Sequence, residues 1–517
     1  MKGIYTPVID LRRRVFSEIA KLGYEVNDYE NFDEMLAQIP YEICPGEEAT
    51  YRDSIFLERA IVEERIRLSL GLPLRKMTEA SPVSKGVKDT IRDRKYYEPP
   101  LINIIKFACN RCPEKRVKVS DQCRGCLAHP CTAVCPKNCI HIINGKSHID
   151  QSLCIKCGLC ADTCPYNAII KTERPCAKSC GVNAISSDSL GRAEIDYDKC
   201  VSCGMCMANC PFGAISDKAQ IFQLIQAMKA GTEVIAAIAP SFIGQFGKKV
   251  TTGQLITGLK MLGFSQVYEV AVGADLCTVE EAHDFLENVP EKMPWMGTSC
   301  CPAWSKMAKR DFPELKDQIS MTMTPMVFTA RLIKKDHPDA KVVFIGPCAA
   351  KKLEASRTAV KSHVDFVLTF EECLGMMKAK NINLENLEPD IELITGSEVG
   401  RGFASSGGVA NAVYDTIKHL DPERAENLEI IRANGLHECV SMLKDAKRGK
   451  YNHGCLLEGM ACPGGCIGGT GTLADTNKNK KVLDKYSKSA KNSHAYESEY
   501  MNDLRELYKE WFNEWEG

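Results

Sequence analysis

Two segments in the middle of the chain carry four cysteines each at the same spacing. CIKCGLCADTCP contains Cys154, Cys157, Cys160 and Cys164, and CVSCGMCMANCP contains Cys200, Cys203, Cys206 and Cys210. Three thiolates spaced C-x2-C-x2-C bind three irons of one 4Fe-4S cubane, and the fourth cysteine, before a proline, ligates a neighbouring cluster. The two copies therefore predict closely packed cubanes that pass single electrons.

A third segment, CRGCLAHPCTAVCP, repeats the pattern with a longer middle gap and pairs with the segment at 154. By the crossover rule, the two segments predict two clusters. The first set of ligands is Cys123, Cys126, Cys131 and Cys164, and the second is Cys154, Cys157, Cys160 and Cys135.

An internal repeat supplies partners for the segment at 200. CPKNCI, CPYNAI, CGVNAI and CPFGAI are four versions of one turn after a fourth cysteine, which gives Cys180 that role. A third cluster is thus predicted on Cys200, Cys203, Cys206 and Cys180, and a fourth on Cys109, Cys112, Cys176 and Cys210. For the fourth, a zinc or a decayed site at Cys109 and Cys112 is the alternative. Cys139 stands where the other three copies of the repeat have alanine, which predicts a small core residue.

Three segments of the C-terminal half carry cysteines that are far apart. GTSCCPAW, GPCAAKKLEA and EGMACPGGCIGGTG contain Cys301, Cys348, Cys462 and Cys466, which span 165 residues. Ligands from such distant loops predict a cluster held inside a core, and the proline and glycines of CPGGC predict a tight backbone wrap. Cys300 and Cys301 are adjacent, and two adjacent ligands to one metal are geometrically awkward.

Alternating strand-like and helix-like stretches surround these loops. EVIAAIAPSF and AKVVFIGPC are apolar runs that end at a turn, as buried strands do, whereas GQLITGLKMLGF and EECLGMMKAK favour helices. The alternation predicts an α/β region with mostly parallel sheets, in which chemistry gathers beyond the strand ends.

From about residue 230 onward, the three cysteine segments resemble the three signature motifs of the iron-only (FeFe) hydrogenases, in the same order. The GPCAAKK form, where many members have Met-Pro-Cys, is similar to the group B branch. The resemblance implies an H-cluster, a 4Fe-4S cubane joined through a thiolate to a two-iron unit with carbon monoxide, cyanide and azadithiolate ligands. It implies that Cys301, Cys348 and Cys462 bind the cubane and that Cys466 bridges to the two-iron unit.

The resemblance also implies roles for polar residues. Lys351 would donate to a cyanide ligand, and Ala239, Pro240 and Ser241 in IAPSF would line another cyanide. Cys300 would be a free thiol that relays protons to the two-iron unit. GADLCTVEEAHDF matches Glu281 and Asp284 to the two carboxylates of the relay, with Ser320 between them. Without the resemblance, a solvated helix face is the simpler interpretation of these two carboxylates.

Several residues depart from the usual motifs. Gly346 replaces a methionine beside the two-iron unit, Met326 stands where a glutamine often contacts a cyanide, and Thr324 replaces a serine. Thr324 and Met460 complete the candidate cofactor contacts. The departures leave the cluster ligands unchanged and affect expectations for rate, catalytic direction and oxygen tolerance.

Composition restricts the functional classes. The 517 residues include 66 basic and 67 acidic side chains, for a net charge of −1, which gives no electrostatic case for nucleic acid or a membrane surface. Arg12, Arg13 and Arg14 lack the apolar stretch of an export signal, and no window reaches the length of a spanning segment. In a reducing cytoplasm, the expected location, 27 cysteines are better explained as metal ligands than as disulfides. Cys44, Cys277, Cys373, Cys439 and Cys455 match no ligand pattern and are predicted to be core residues.

Four regions are predicted. Residues 1–100 form a helical region of unknown role in which SIFLERAIVEERIRLSLGL is amphipathic, and residues 101–220 form an α+β ferredoxin-like domain with four 4Fe-4S clusters. Residues 221–475 form the two-lobed H-cluster domain, and residues 476–517 resemble the small subunit of some family members, a helical strap.

The resemblance implies an enzyme that interconverts protons and dihydrogen, receives electrons from ferredoxin or a similar carrier, and depends on maturation proteins for the two-iron unit. A dihydrogen sensor and an iron-sulfur assembly or electron-carrier protein are the alternatives. Neither the assembly nor the carrier function requires Cys300 or Lys351.

Overall fold

The N-terminal region is a group of three helices packed onto the rest of the chain. In this computed structural model, which describes residues 4–390, 393, 395–503 and 506–507, the helices are α1 (Pro7–Glu25), α2 (Phe32–Ile43) and α3 (Ile55–Ser69). Thr6 caps α1 by accepting the N–H of Ile9, and Pro7 starts the helix at a position that needs no N–H donor. The buried face of α1, which includes Val15 and Ile19, lies against helices of the C-terminal region.

Helix α3 corrects one expectation. The segment is helical as predicted, but it is not amphipathic, because four of its charged residues are buried along with most of its apolar ones: Glu58, Glu64, Arg65 and Arg67. Glu58 accepts the backbone N–H groups of Tyr51 and Arg52 at 2.5 and 2.8 Å, and Arg67 donates to the carbonyl of Val83 at 2.7 Å. The helix contacts α1 and α2 on one side and β8 of the cysteine-rich region on another, which buries most of its length.

The cysteine-rich region consists of short hairpins and single helical turns. Its elements are β1 (Ile102–Ile104), β2 (Arg116–Val119), α4 (Pro130–Ala133), β3 (Ile140–Ile143), β4 (Lys146–Ile149), α5 (Leu159–Thr163), β5 (Ile169–Thr172), α6 (Pro175–Lys178), β6 (Ile185–Ser187), β7 (Ala193–Ile195), α7 (Met205–Asn209) and β8 (Ile215–Asp217). The strands form antiparallel pairs β1–β8, β2–β5, β3–β4 and β6–β7. This is the predicted α+β arrangement.

The C-terminal region is α/β. Its strands are β9 (Val234–Ile238), β10 (Gln266–Glu269), β11 (Trp295–Gly297), β12 (Lys341–Gly346), β13 (Phe366–Thr369), β14 (Ile430–Asn434) and β15 (Cys455–Met460). One sheet has the order β10-β9-β12-β13 and the other β11-β15-β14, and every pairing is parallel. The predicted pair of lobes with parallel sheets is confirmed.

Helices cover both sheets. They are α8 (Ile221–Lys229), α9 (Thr252–Leu262), α10 (Ala271–Asn288), α11 (Pro302–Asp311), α12 (Pro325–Asp336), α13 (Ala350–Ser356), α14 (Phe370–Ala379), α15 (Glu398–Gly402), α16 (Gly408–Leu420), α17 (Pro422–Glu426), α18 (Leu436–Lys447) and α19 (Thr476–Ser487). Strands β9 and β12 are almost entirely buried and read as continuous apolar runs, as strands covered on both faces do.

The predicted C-terminal strap is described only in part. Helix α19 packs on α15, and residues 504–505 and 508–517 lie outside the described residues. In the described part of the chain, no helix combines the length and the apolar character that crossing a membrane requires.

Candidate metal centre and proton path

Loops that follow three parallel strands meet around one cavity of about 90 Å³, called the central cavity below. Cys301 follows β11, Cys348 follows β12, and Cys462 and Cys466 follow β15. All four cysteines line the central cavity, and so does Cys300. The carboxyl ends of strands from both sheets therefore bring together ligands that are far apart in sequence.

Local sequence explains how the loops present these thiols. Cys301 is the residue before helix α11, and Pro302 fits the first turn because no N–H donor is needed there. Between Cys462 and Cys466, Gly464 and Gly465 have φ of +87° and +84°, which a side chain would disfavour. A Cβ on Gly465 would also lie 2.4 Å from the backbone nitrogen of Ser406. The segment is a tight wrap, as its sequence predicted.

The lining of the central cavity fits an iron-sulfur group with small polar ligands. Burial raises the pKa of Cys348, and it raises the pKa of Cys466 to about 12, so thiolates at these positions require a bound cation. Ser241 is fully buried in the wall beside Ala239 and Pro240, and its Oγ has no hydrogen-bond partner among the described residues. A buried hydroxyl without a partner is rare, and a polar ligand inside the cavity would supply one.

Lys351 contributes an ammonium group to the wall of the central cavity. Its Nζ lies 2.6 Å from Glu354 Oε2 and donates to Thr324 Oγ1 at 2.8 Å. Both Lys351 and Glu354 are buried. The resemblance implied only a cyanide as the negative partner of Lys351, whereas the structure supplies the carboxylate of Glu354 one helical turn away. The i, i+3 spacing of the two residues is the signal that could have revealed it.

Cys300 follows Ser299 in the chain, and Glu281 lies close to both residues. The backbone N–H of Ser299 donates to Glu281 Oε1 at 2.6 Å, while Glu281 Oε2 and Ser299 Oγ have no hydrogen-bond partner among the described residues. Glu281 is completely buried on α10, and this burial raises its pKa to about 7. A solvated helix face is therefore the wrong interpretation of Glu281.

Asp284 and Ser320 continue from Glu281 toward the surface. The hydroxyl of Ser320 donates to Asp284 Oδ2 at 2.7 Å, and Asn288 donates to Asp284 Oδ1 at 2.9 Å. Glu281 and Asp284 are three residues apart on α10, so they face the same side of that helix. Glu281 is buried and Asp284 is partly exposed, which gives the row of groups a direction from the interior to solvent.

Phe344 occupies the space above Gly346. A Cβ on Gly346 would lie 2.5 Å from Cε1 of Phe344 and 3.2 Å from Cβ of Ala239. Phe344, Met326 and Met460 all line the central cavity, whereas Thr324 contacts it through Lys351. The aromatic ring of Phe344, two residues earlier on β12, thus fills the space that a side chain at position 346 would need. The sequence did not predict this contact.

The upstream cysteines also come together. Cys109, Cys112, Cys176 and Cys210 line one cavity, and Cys135, Cys154, Cys157 and Cys160 line another. Cys139 is buried beside this second group, with its Sγ 3.4 Å from that of Cys135.

The cysteines of the two remaining predicted ligand sets lie close to the two sets just described. Cys180 and Cys200 lie near Cys206, and Cys203 lies on the wall of the central cavity. Cys131 Sγ lies 3.3 Å from the hydroxyl of Ser147, which also interacts with Cys123. Cys164 packs against the hydrophobic cluster that contains Cys131, and the carbonyl oxygen of Cys126 accepts the backbone N–H of His129.

Two family models match parts of this chain. The family described as iron only hydrogenase large subunit, C-terminal domain, matches residues 232–470, and a 4Fe-4S dicluster domain matches residues 153–214. Iron hydrogenase 1 of Clostridium pasteurianum is 28% identical over 463 residues, which cover 79% of this chain and 78% of that protein.

Two further proteins match about half of this chain. A cytosolic Fe-S cluster assembly factor of Danio rerio is 26% identical over 318 residues, which cover 51% of this chain and 77% of that protein. The solved apo FeFe-hydrogenase of Chlamydomonas reinhardtii is 24% identical, with a TM-score of 0.45, and the match covers 54% of this chain and 89% of that one.

Proposed function

We propose that this FeFe-hydrogenase-like protein catalyses the reversible reduction of two protons by two electrons to dihydrogen. The observation that carries the proposal is the lining of the central cavity, where four cysteines from distant loops lie beside a fifth, Cys300. Four thiolates suffice for the predicted cubane and its bridge, which leaves Cys300 as a free thiol.

Residues of the cavity wall would hold and orient the metal centre. Cys301, Cys348 and Cys462 would bind the cubane, and Cys466 would bridge it to the two-iron unit. When bound, this group supplies the site at which protons and electrons combine. Lys351 and Ser241 would donate hydrogen bonds to its cyanide ligands, because both polar groups lie in an otherwise apolar wall.

The chain's own groups would deliver the protons. Cys300 would exchange a proton with the cavity, and Glu281 would accept this proton from Cys300, or return it, at the position beside Ser299. A pKa of about 7 suits Glu281 to both directions, since a carrier works best when its pKa is near the working pH. Ser320 and Asp284, which are hydrogen-bonded to each other, would complete the path to solvent.

Electrons would arrive through the cysteine-rich region, for which we propose four 4Fe-4S clusters with the ligand sets given above. The set that contains Cys203 would stand next to the central cavity, because Cys203 is part of both. The set at 109, 112, 176 and 210 would precede it, since Cys176 lies near Cys206. The sets at 123–164 would then receive electrons from ferredoxin or a similar one-electron carrier.

The remaining assignments belong to the same proposal. Maturation proteins would build the two-iron unit, and the thiol-rich chain would work in a reducing cytoplasm. The boundaries at about 100, 220 and 475 divide the chain into the helical region, the cluster domain, the catalytic domain and the tail.

Infrared spectroscopy of protein produced together with the maturation proteins tests the proposal. Carbon monoxide and cyanide stretches together with dihydrogen evolution are the expected result. Cys300→Ala should keep the stretches and lose most of the turnover, because it removes the thiol and none of the ligands. Intact turnover in Cys300→Ala would show that the proton relay is wrong.

An iron-sulfur assembly function is the second candidate, favoured by the similarity to the assembly factor of Danio rerio. It predicts iron and sulfide in the protein but no carbon monoxide or cyanide stretches after maturation. The presence of both Cys300 and Lys351 in the cavity wall supports the hydrogenase instead, because cubanes alone require neither.

A further inference from the structure

One cluster of metal-binding side chains lies away from all the cysteine groups described so far. Glu429, His453 and Cys455 place one donor atom each within 4.8 Å of the others. His453 Nε2 lies 2.5 Å from Glu429 Oε2 and 3.2 Å from Cys455 Sγ, and that sulfur lies 3.8 Å from Glu429 Oε2. We propose that these three residues bind a Zn²⁺ ion.

The backbone holds two of the three residues side by side. In the parallel pair β14–β15, Ile430 is opposite Leu456, so Glu429 and Cys455, each one residue earlier, are neighbours across the two strands. The N–H of Leu456 donates to the carbonyl of Glu429 at 2.9 Å, which fixes this register. The approach of the carboxylate to the thiol therefore follows from strand pairing and not from a chance rotamer.

The turn before β15 supplies the third residue. His453 precedes Gly454, whose φ is +87° and whose N–H donates to the carbonyl of Pro294 at 3.0 Å. This bond ties the turn to the segment before β11, and the imidazole lies over the amino ends of β14 and β15. The site is thus at the opposite end of this sheet from the central cavity.

The donor types match zinc better than other common divalent ions. Thiolate, imidazole and carboxylate are the ligands of protein zinc sites, whereas Mg²⁺ and Ca²⁺ prefer oxygen alone. At tetrahedral angles and typical bond lengths, the three donors would stand roughly 3.4–3.6 Å apart. The two distances from sulfur are already near this range, and only the His453–Glu429 contact must widen.

That widening is small and local. The side chains of His453 and Glu429 are 54% and 53% exposed, so both can move by the ångström that the metal needs. Cys455 is completely buried and provides the fixed point. The exposed side of the cluster leaves the fourth position to water, as in zinc sites with three protein ligands. The ion would link the start of β14, the start of β15 and the turn that leads from α18 into β15.

Metal analysis of the iron-sulfur-loaded protein tests the proposal, because its other metal-binding cysteines are then occupied by clusters. After incubation with zinc and gel filtration, wild-type protein should retain one zinc per chain, and His453→Ala should retain none. Cys455→Ser should also lose the zinc, whereas Cys439→Ser, at a buried cysteine whose thiol donates to the backbone carbonyls of Ala433 and Met460, should keep it. X-ray absorption at the zinc edge should show one sulfur ligand among nitrogen and oxygen.

Equal zinc in the wild type and in His453→Ala, or no zinc in either, would overturn the proposal and leave an ion pair beside a buried thiol. The His453 variant keeps the test decisive if Cys455→Ser fails to fold, because the imidazole is exposed. Equal iron content in all variants shows that the clusters are unaffected. The result does not depend on dihydrogen chemistry.

Discussion

Replacing Glu281 with glutamine removes a titrating group and keeps its shape. Oε1 of Glu281 accepts the N–H of Ser299 at 2.6 Å, and the amide oxygen of a glutamine can accept the same bond. The other carboxylate oxygen has no hydrogen-bond partner among the described residues, so an amide nitrogen in its place would break no hydrogen bond of that oxygen. Glu281→Gln therefore isolates the role of the proton.

The structure gives the size of the effect on stability. Burial raises the pKa of Glu281 from 4.5 to about 7. Each pH unit corresponds to about 1.4 kcal/mol, so ionising Glu281 costs the folded protein about 3 kcal/mol relative to the unfolded chain.

The sign follows from the raised pKa. The unfolded chain releases the proton first as the pH rises, so the stability associated with Glu281 is complete below about pH 4.5. It is lost as the pH rises through about 7. The glutamine variant lacks this loss, and the free energy of unfolding of Glu281→Gln minus that of the wild type should increase by about 3 kcal/mol between pH 4.5 and 8.

Two assays check the reasoning. Unfolding of both proteins, measured from pH 4.5 to 8, gives the stability difference. Dihydrogen evolution by matured protein should fall by about 10²–10⁴-fold in Glu281→Gln, the usual contribution of a proton-transfer group. Glu287→Gln, at an exposed position of the same helix, is the control and should match the wild type in both assays. Parallel pH profiles of stability for wild type and Glu281→Gln, or unchanged turnover, would refute the assignment.

Three further variants test the surroundings of the metal sites. Gly346→Met should lower the stability by about 1–3 kcal/mol because its Cβ overlaps the ring of Phe344, and thermal unfolding should show recovery when Phe344→Ala is added. Lys351→Met should cost about 3–5 kcal/mol by leaving Glu354 buried without its ammonium, and adding Glu354→Gln should restore most of the loss. Cys112→Ser should lose about four irons per chain by metal analysis, and unchanged iron would instead favour the zinc or decayed site.

The sequence alone predicted the cysteine groups, and the structure places two of the predicted sets around one cavity each. In each ferredoxin-like segment, three of the predicted ligands lie within nine residues, so short loops bring their sulfurs together whatever the rest of the chain does. The same holds for strands such as β9 and β12, whose apolar runs are long enough to be recognised as buried strands from the sequence alone. Local spacing and local composition carried these predictions.

Local sequence patterns did not predict which charged residues are buried or which groups they pair with. The charges of SIFLERAIVEERIRLSLGL suggested a solvent-facing side, yet four of these charged residues are buried, and one of them, Arg67, donates to the backbone carbonyl of Val83. Glu281 and Asp284 have the same spacing as an ordinary surface pair. Only the packing of α10 made Glu281 a buried acid with a pKa of about 7 and left Asp284 partly exposed.

The sequence by itself determined which residues could ligate metal and in which short loops they stand, because ligand spacing within a loop is a property of a few consecutive residues. Only the tertiary structure decided what surrounds them. Phe344 fills the space above Gly346, and Cys455 meets Glu429 because two parallel strands pair in one register. Such neighbours come from elements that are distant along the chain, and their contacts depend on how sheets and helices pack rather than on any interval in the sequence.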